Sequence, residues 1–133
     1  MKIEIDWIKE DKFISTVDGK HSLTIDGGRI IAPSAMDFLL VGLGSCTAID
    51  VVDILRKMKE PLTALKVEVE GTRAEEPPRV YTEVKIKYIA KGKIKNEKLI
   101  KAIELSQEKY CSASIMFKRS GAKVTYEYEI VED

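Results

Sequence analysis

Two sulfurs carry the chemical potential of this chain. Cys46 and Cys111 are its two cysteines. A thiolate is a nucleophile, and two thiols that meet can cycle between dithiol and disulfide, which requires Cα atoms within about 7 Å. Cys46 lies in LVGLGSCTAIDVV, where Gly42, Gly44, Ser45 and Thr47 leave room for another group to approach. A thiol in an apolar helix is more often a small hydrophobe than a nucleophile. The nucleophile reading therefore rests on that room and on the second cysteine. Cys111 lies in YCSAS, where one helix is expected to end and another to begin. A thiol at a helix N-terminus is acidified by the dipole and by free backbone N–H groups. An ordinary buried cysteine after Tyr110 is the competing reading.

The groups that could tune these thiols are fewer. Asp37 is explained as a helix cap, and Asp50 and Asp53 are expected on a solvated or interface face. Carboxylates beside a thiol disfavour its thiolate unless a cation intervenes. Arg29, Arg73 and Arg79 are the candidate cations. His21, the single histidine, adjoins a hairpin turn and supports no Ser–His–Asp or Cys–His constellation. The separation of the cysteines matches no zinc motif, so neither a metal nor an organic cofactor is expected.

A long helix must position Cys46. Ser34–Lys59 opens with a capping box: the Ser34 hydroxyl can accept from the Asp37 N–H while the Asp37 carboxylate reaches back. Arg56, Lys57 and Lys59 crowd the last turn, and Pro61 stops it. Between Phe38 and Ile49 the helix is apolar all round, so it must be covered all round. At roughly 37 Å it spans a globule of this size, and a second subunit is the simplest source of the missing cover. The apolar run reads as too short for a membrane span. Two helical glycines cost about 1 kcal/mol each relative to alanine, so Gly42 and Gly44 point to a close backbone or ligand.

Around this helix the periodicity alternates. Ile3, Ile5 and Trp7 predict a half-buried strand, Phe13, Ser15 and Val17 a second, and Leu23 and Ile25 a third after the Asp18-Gly19 turn. Two further strands carry Leu65–Val69 and Val80–Tyr88, joined by the stiff loop Ala74–Arg79. Asn96 is expected to cap a second helix, Glu97–Tyr110, with Leu99, Ile100, Ile103 and Tyr110 as its apolar stripe. Ser112–Lys118 is a further helical turn, and Val124–Ile130 the last strand. The order is βββ-α-ββ-α-β, an α+β class with antiparallel hairpins and helices on one side.

The 133 residues suggest one domain, 1–133. Lys+Arg and Asp+Glu both number 22, so no net charge recruits nucleic acid or an anionic membrane. The start, MKIEIDWIKEDK, is charged from its second residue and lacks a signal-peptide core, which makes a cytoplasmic location the expectation. In that compartment a permanent disulfide is not expected.

The segments APSAMDFLLVGLGSCTAIDVV and EKYCSASIMFKRSG, together with the TRAEEPPRVYTEV hairpin, resemble the OsmC/Ohr family of organic hydroperoxide resistance proteins along nearly the whole chain. Its OsmC-like branch fits best. The resemblance implies an intertwined homodimer with the long helix at its heart. It also implies thiol peroxidase chemistry: Cys46 peroxidatic, Cys111 resolving, an organic hydroperoxide as substrate and an external dithiol as reductant. Met36, Leu39 and Gly42 would line the substrate pocket, and Asp37, Arg73 and Arg79 are candidates to activate or orient. Where the peroxidase branch has Glu ten residues before the first cysteine, this chain has Met36 with Asp37 next. Before Asp18-Gly19 it offers Lys9, Glu10 and Lys12 instead of the usual Arg. The rival reading is a non-enzymatic dimer that holds an apolar ligand at the subunit interface.

Overall fold

A computed structural model describes residues 1–132. The elements run β1 (Ile3–Lys9), β2 (Lys12–Val17), β3 (His21–Asp26), α1 (Ala35–Lys57), β4 (Leu62–Arg73), β5 (Tyr81–Gly92), α2 (Asn96–Leu105), α3 (Ser112–Arg119) and β6 (Lys123–Val131). A π-helical turn, Ser106–Tyr110, joins α2 to the segment before α3. This is the α+β order expected. Contacts gather into two compact units, one up to Leu39 and one from Leu40 onward.

In the first unit β1, β2 and β3 form an antiparallel meander. The apolar alternation of β1 leads one to expect half-burial, but every residue of the strand is exposed, including Ile3, Ile5 and Trp7. After β3, Asp26 organises the connection. Its carboxylate accepts from the backbone N–H groups of Gly28 (2.8 Å), Ile30 (3.0 Å) and Ile31 (3.1 Å). The capping box then forms as expected: Ser34 N–H and Oγ both donate to Asp37 Oδ2 at 2.9 Å.

The second unit is a sheet in the order β4-β5-β6 with helices against it. β4 and β5 pair antiparallel. β5 and β6 pair in parallel, because the helical crossover α2–α3 brings β6 back in the direction of β5. Val84, Ile86, Tyr88 and Ala90 of β5 are buried, with Leu99, Ala102 and Ile103 of α2 in the same core. α1 contributes the buried stripe Leu43, Gly44, Thr47, Val51 and Leu55. By length and apolarity Ala35–Lys57 is sufficient to cross a membrane, so shortness does not exclude a span. Its buried stripe makes it a core helix.

Both ends of the helices differ in detail from the expectation. Lys59, at φ 59°, ends α1 in the left-handed conformation. Glu60 N–H bonds Leu55 O and Lys59 N–H bonds Arg56 O, both at 2.9 Å, which is the Schellman arrangement. At α2 the N-cap is Lys95, not Asn96, and no side chain caps it. Instead the Glu60 carboxylate accepts from Lys95 N–H at 2.8 Å. The expected helix Glu97–Tyr110 divides at Leu105, and Tyr110 is 51% exposed rather than part of the core stripe.

Candidate functional site

Cys46 is half-buried on α1, and Cys111 is fully buried where it caps α3. Their sulfurs meet: Cys46 Sγ, Cys111 Sγ and a carboxylate oxygen of Asp50 all lie within 4.8 Å of one another. Two elements bring this about. Cys46 and Asp50 are one turn apart on the same face of α1. The π turn then sets Cys111: its N–H bonds Ser106 O at 2.7 Å, closing a ring one residue longer than an α-helical turn. The thiol of Cys111 accepts from Ser114 N–H at 3.4 Å. Burial pushes this thiol above its ordinary value, and the Ser114 bonds pull the other way.

Behind the sulfurs runs a buried polar network. Thr47 Oγ1 shares hydrogen bonds with Tyr88 OH (2.6 Å) and Ser106 Oγ (2.7 Å). Ser106 Oγ donates to Asp50 Oδ2 at 3.0 Å. Gln107 Nε2 donates to Tyr88 OH at 2.8 Å and to Thr47 Oγ1 at 3.2 Å. A hydroxyl has one proton to give. With Ser106 committed to Asp50, Thr47 must donate to Ser106 and Tyr88 to Thr47. The protons therefore run in one direction, Tyr88 to Thr47 to Ser106 to Asp50, and each bond polarises the next. Burial first of all pushes the Tyr88 phenol up to about 12, so it remains a donor. Lys118 Nζ donates to Gln107 O at 2.8 Å and so ties α3 to the π turn.

The other residues singled out in the sequence are engaged elsewhere. Asp37 Oδ2 accepts from Ser34 and from Arg29 Nε at 2.8 Å. Its carboxyl is held below the usual range, foremost by the Ser34 N–H. Arg73 Nε donates to Arg79 O at 2.8 Å and Arg79 Nε to Ala74 O at 3.2 Å, so each bonds the backbone of its own hairpin. Asp53 and His21 are exposed. Asp50, expected on a solvated or interface face, is half-buried and bonded to Ser106. Of the pocket candidates, Met36 is half-buried and Leu39 is 49% exposed. The two helical glycines part company. A Cβ at Gly44 would come within 2.9 Å of Val69 Cγ2, whereas a Cβ at Gly42 would meet nothing within 4 Å.

Thr47, Tyr88, Ser106 and Gln107 were legible only weakly. Tyr88 stands on the apolar face of its strand, where a buried phenol needs a partner. Gln107 is the single glutamine of the chain. Neither signal says where the partner is.

Comparison with known proteins agrees with this architecture. The family model described as OsmC-like protein matches residues 26–127. Protein YhfA of Escherichia coli is 33% identical over 98% of this chain and 98% of its own length. A solved structure of a hypothetical protein from Aquifex aeolicus is 34% identical with a TM-score of 0.85, covering 98% of this chain and 96% of the other. A structure titled organic hydroperoxide resistance protein OsmC, from Legionella pneumophila, shares the fold at 18% identity and a TM-score of 0.68, covering 97% of each chain.

Proposed function

Because the chain belongs to the OsmC-like family, we propose that it reduces organic hydroperoxides through a Cys46–Cys111 dithiol–disulfide cycle. The observation that carries this reading is the approach of the two sulfurs to within 4.8 Å. Their unequal burial supports the division of labour. Cys46 is the accessible thiol and meets the substrate, while Cys111 is fully buried and resolves.

The Cys46 thiolate attacks the O–O bond of ROOH, and with one proton taken up it becomes the sulfenic acid while ROH leaves. Cys111 then attacks the sulfenic sulfur, forming the disulfide and releasing water. An external dithiol is oxidised in turn and restores both thiols. The chain's own groups support this sequence by position. Ser106 fixes Asp50 beside both sulfurs, where the carboxylate can orient the Cys46 thiol. A homodimer belongs to the proposal. Val41 and Ile49 of α1 are 54% and 61% exposed, and Gly42 faces open space. A second copy would cover them.

The test is thiol titration and intact mass after one equivalent of cumene hydroperoxide, with Cys46→Ser and Cys111→Ser as controls. Loss of both thiols together with two hydrogens of mass is expected. Thiols that stay reduced would sink the reading. The same exposed helix face favours the second reading, a dimer that holds an apolar ligand without chemistry. In that case ligand affinity persists in Cys46→Ser.

A further inference from the structure

We propose that Cys46, Asp50 and Cys111 form a binding site for one soft divalent cation of the zinc class. Along the chain the spacing of these residues matches no zinc motif, but the fold assembles them, with all three donor atoms within 4.8 Å of one another. Zinc holds sulfur at about 2.3 Å and carboxylate oxygen at about 2.0–2.2 Å, so tetrahedral ligands stand about 3.5–3.8 Å apart. A contraction of about 1 Å closes the triangle. Two sulfurs and one carboxylate favour zinc over the hard cations magnesium and calcium, which take oxygen ligands.

An outer shell is already in place. Ser106 Oγ holds Asp50 Oδ2 at 3.0 Å, and Ser114 N–H donates to Cys111 Sγ at 3.4 Å. Such partners orient metal ligands and hold thiolates. The cation would displace both thiol protons and leave each sulfur as a thiolate. Three protein ligands leave a fourth position to water or another ligand; Asp50 also lines a groove of about 480 Å³ with Asp53, Ile54, Lys57, Leu105 and Tyr110, which neither sulfur lines. Three protein ligands and an open position are the pattern of zinc sites that exchange a ligand rather than purely structural ones.

The site needs only reduced thiols and stands without the peroxidase reading. Where that reading also holds, the cation occupies the sulfur that would attack the peroxide, and metal and disulfide exclude each other.

The full chain, reduced and free of oxygen, is titrated with Co²⁺ and then with Zn²⁺. One cobalt per chain is expected, with a thiolate-to-cobalt charge-transfer band and the strong visible bands of tetrahedral cobalt, both erased by zinc. Cys46→Ser and Cys111→Ser should lose the charge-transfer band or halve it with a large loss of affinity. Asp50→Asn should weaken binding at least about tenfold, the scale on which even outer partners act. Zinc should also shield Cys46, the accessible thiol of the pair, from alkylation in the unmutated chain, a readout that no variant's folding can confuse. A reduced chain with no charge-transfer band, or a band that survives disulfide formation, overturns the site. Peroxide consumption without a cobalt spectrum removes the metal and keeps the peroxidase; a cobalt spectrum over inert thiols does the reverse.

Discussion

At the scale of single residues, the site depends on one hydroxyl more than on either sulfur's immediate neighbours. Thr47 links Tyr88, Ser106 and Gln107, all of them buried. Thr47→Val keeps the shape and deletes the link. Tyr88 then loses its acceptor, while Ser106 keeps its bond to Asp50 and Gln107 its bond to Tyr88. A buried donor left without a partner costs about 1–3 kcal/mol, so thermal unfolding should shift down accordingly. Because the directed chain that ends on Asp50 is cut, any reaction of Cys46 with hydroperoxide should slow beyond what lost stability explains. A variant as stable as the parent would show the network to be idle. The sulfurs themselves were legible in the sequence, because cysteines are few and their surroundings distinctive. Asp50 was visible as a residue one turn from Cys46, but its role was not. Its partner Ser106 lies on another helix, and no periodicity reports which face of α1 that helix meets.

At the scale of elements, signals that depend on neighbouring residues are legible in the sequence. The capping box at Ser34 and Asp37 forms, as does the three-stranded meander closed by Asp18-Gly19. Those that depend on distant partners are not. The cap of α2 comes from Glu60, 35 residues away in sequence, rather than from Asn96. The π turn is invisible to a 3.6-residue period, which is why a single helix was expected up to Tyr110. The C-terminus of α1 offers a direct measurement. Lys59 adopts φ 59° in a Schellman turn where glycine is the usual occupant. A side chain in that conformation costs about 1–2 kcal/mol, against a backbone entropy cost of about 0.5–1 kcal/mol for glycine. Lys59→Gly should therefore raise stability by about 0.5–1 kcal/mol in chemical denaturation, and a loss would contradict the left-handed assignment.

At the scale of the whole chain, exposed apolar surface sets the expectation. Ile3, Ile5 and Trp7 in the first unit and Leu39, Val41 and Ile49 on α1 lie open in a single copy. The proposed dimer predicts a mass in light scattering of twice the 15.0 kDa chain. Ile49→Glu should return it to a single chain mass, and a parent already monomeric would remove the second subunit from the account. Acid should act on the first unit through Asp26. Its carboxyl is held below the ordinary 3.8, foremost by the Ile31 N–H. A depressed value means that the stabilisation is present above the unfolded value and lost as pH falls through the folded one. Stability should thus decline below about pH 4, and Asp26→Asn should flatten that part of the profile. Finally, the π turn places a constraint on length rather than on composition. Glu108, Lys109 and Tyr110 are exposed, and their side chains are open to exchange. Yet removing any one of them would turn the ring at Ser106 back into an ordinary helical turn and swing Cys111 by about 100°. Substitution here should be tolerated and deletion should not, so a screen that counts only substitutions would score as dispensable a segment whose length sets the place of the second sulfur.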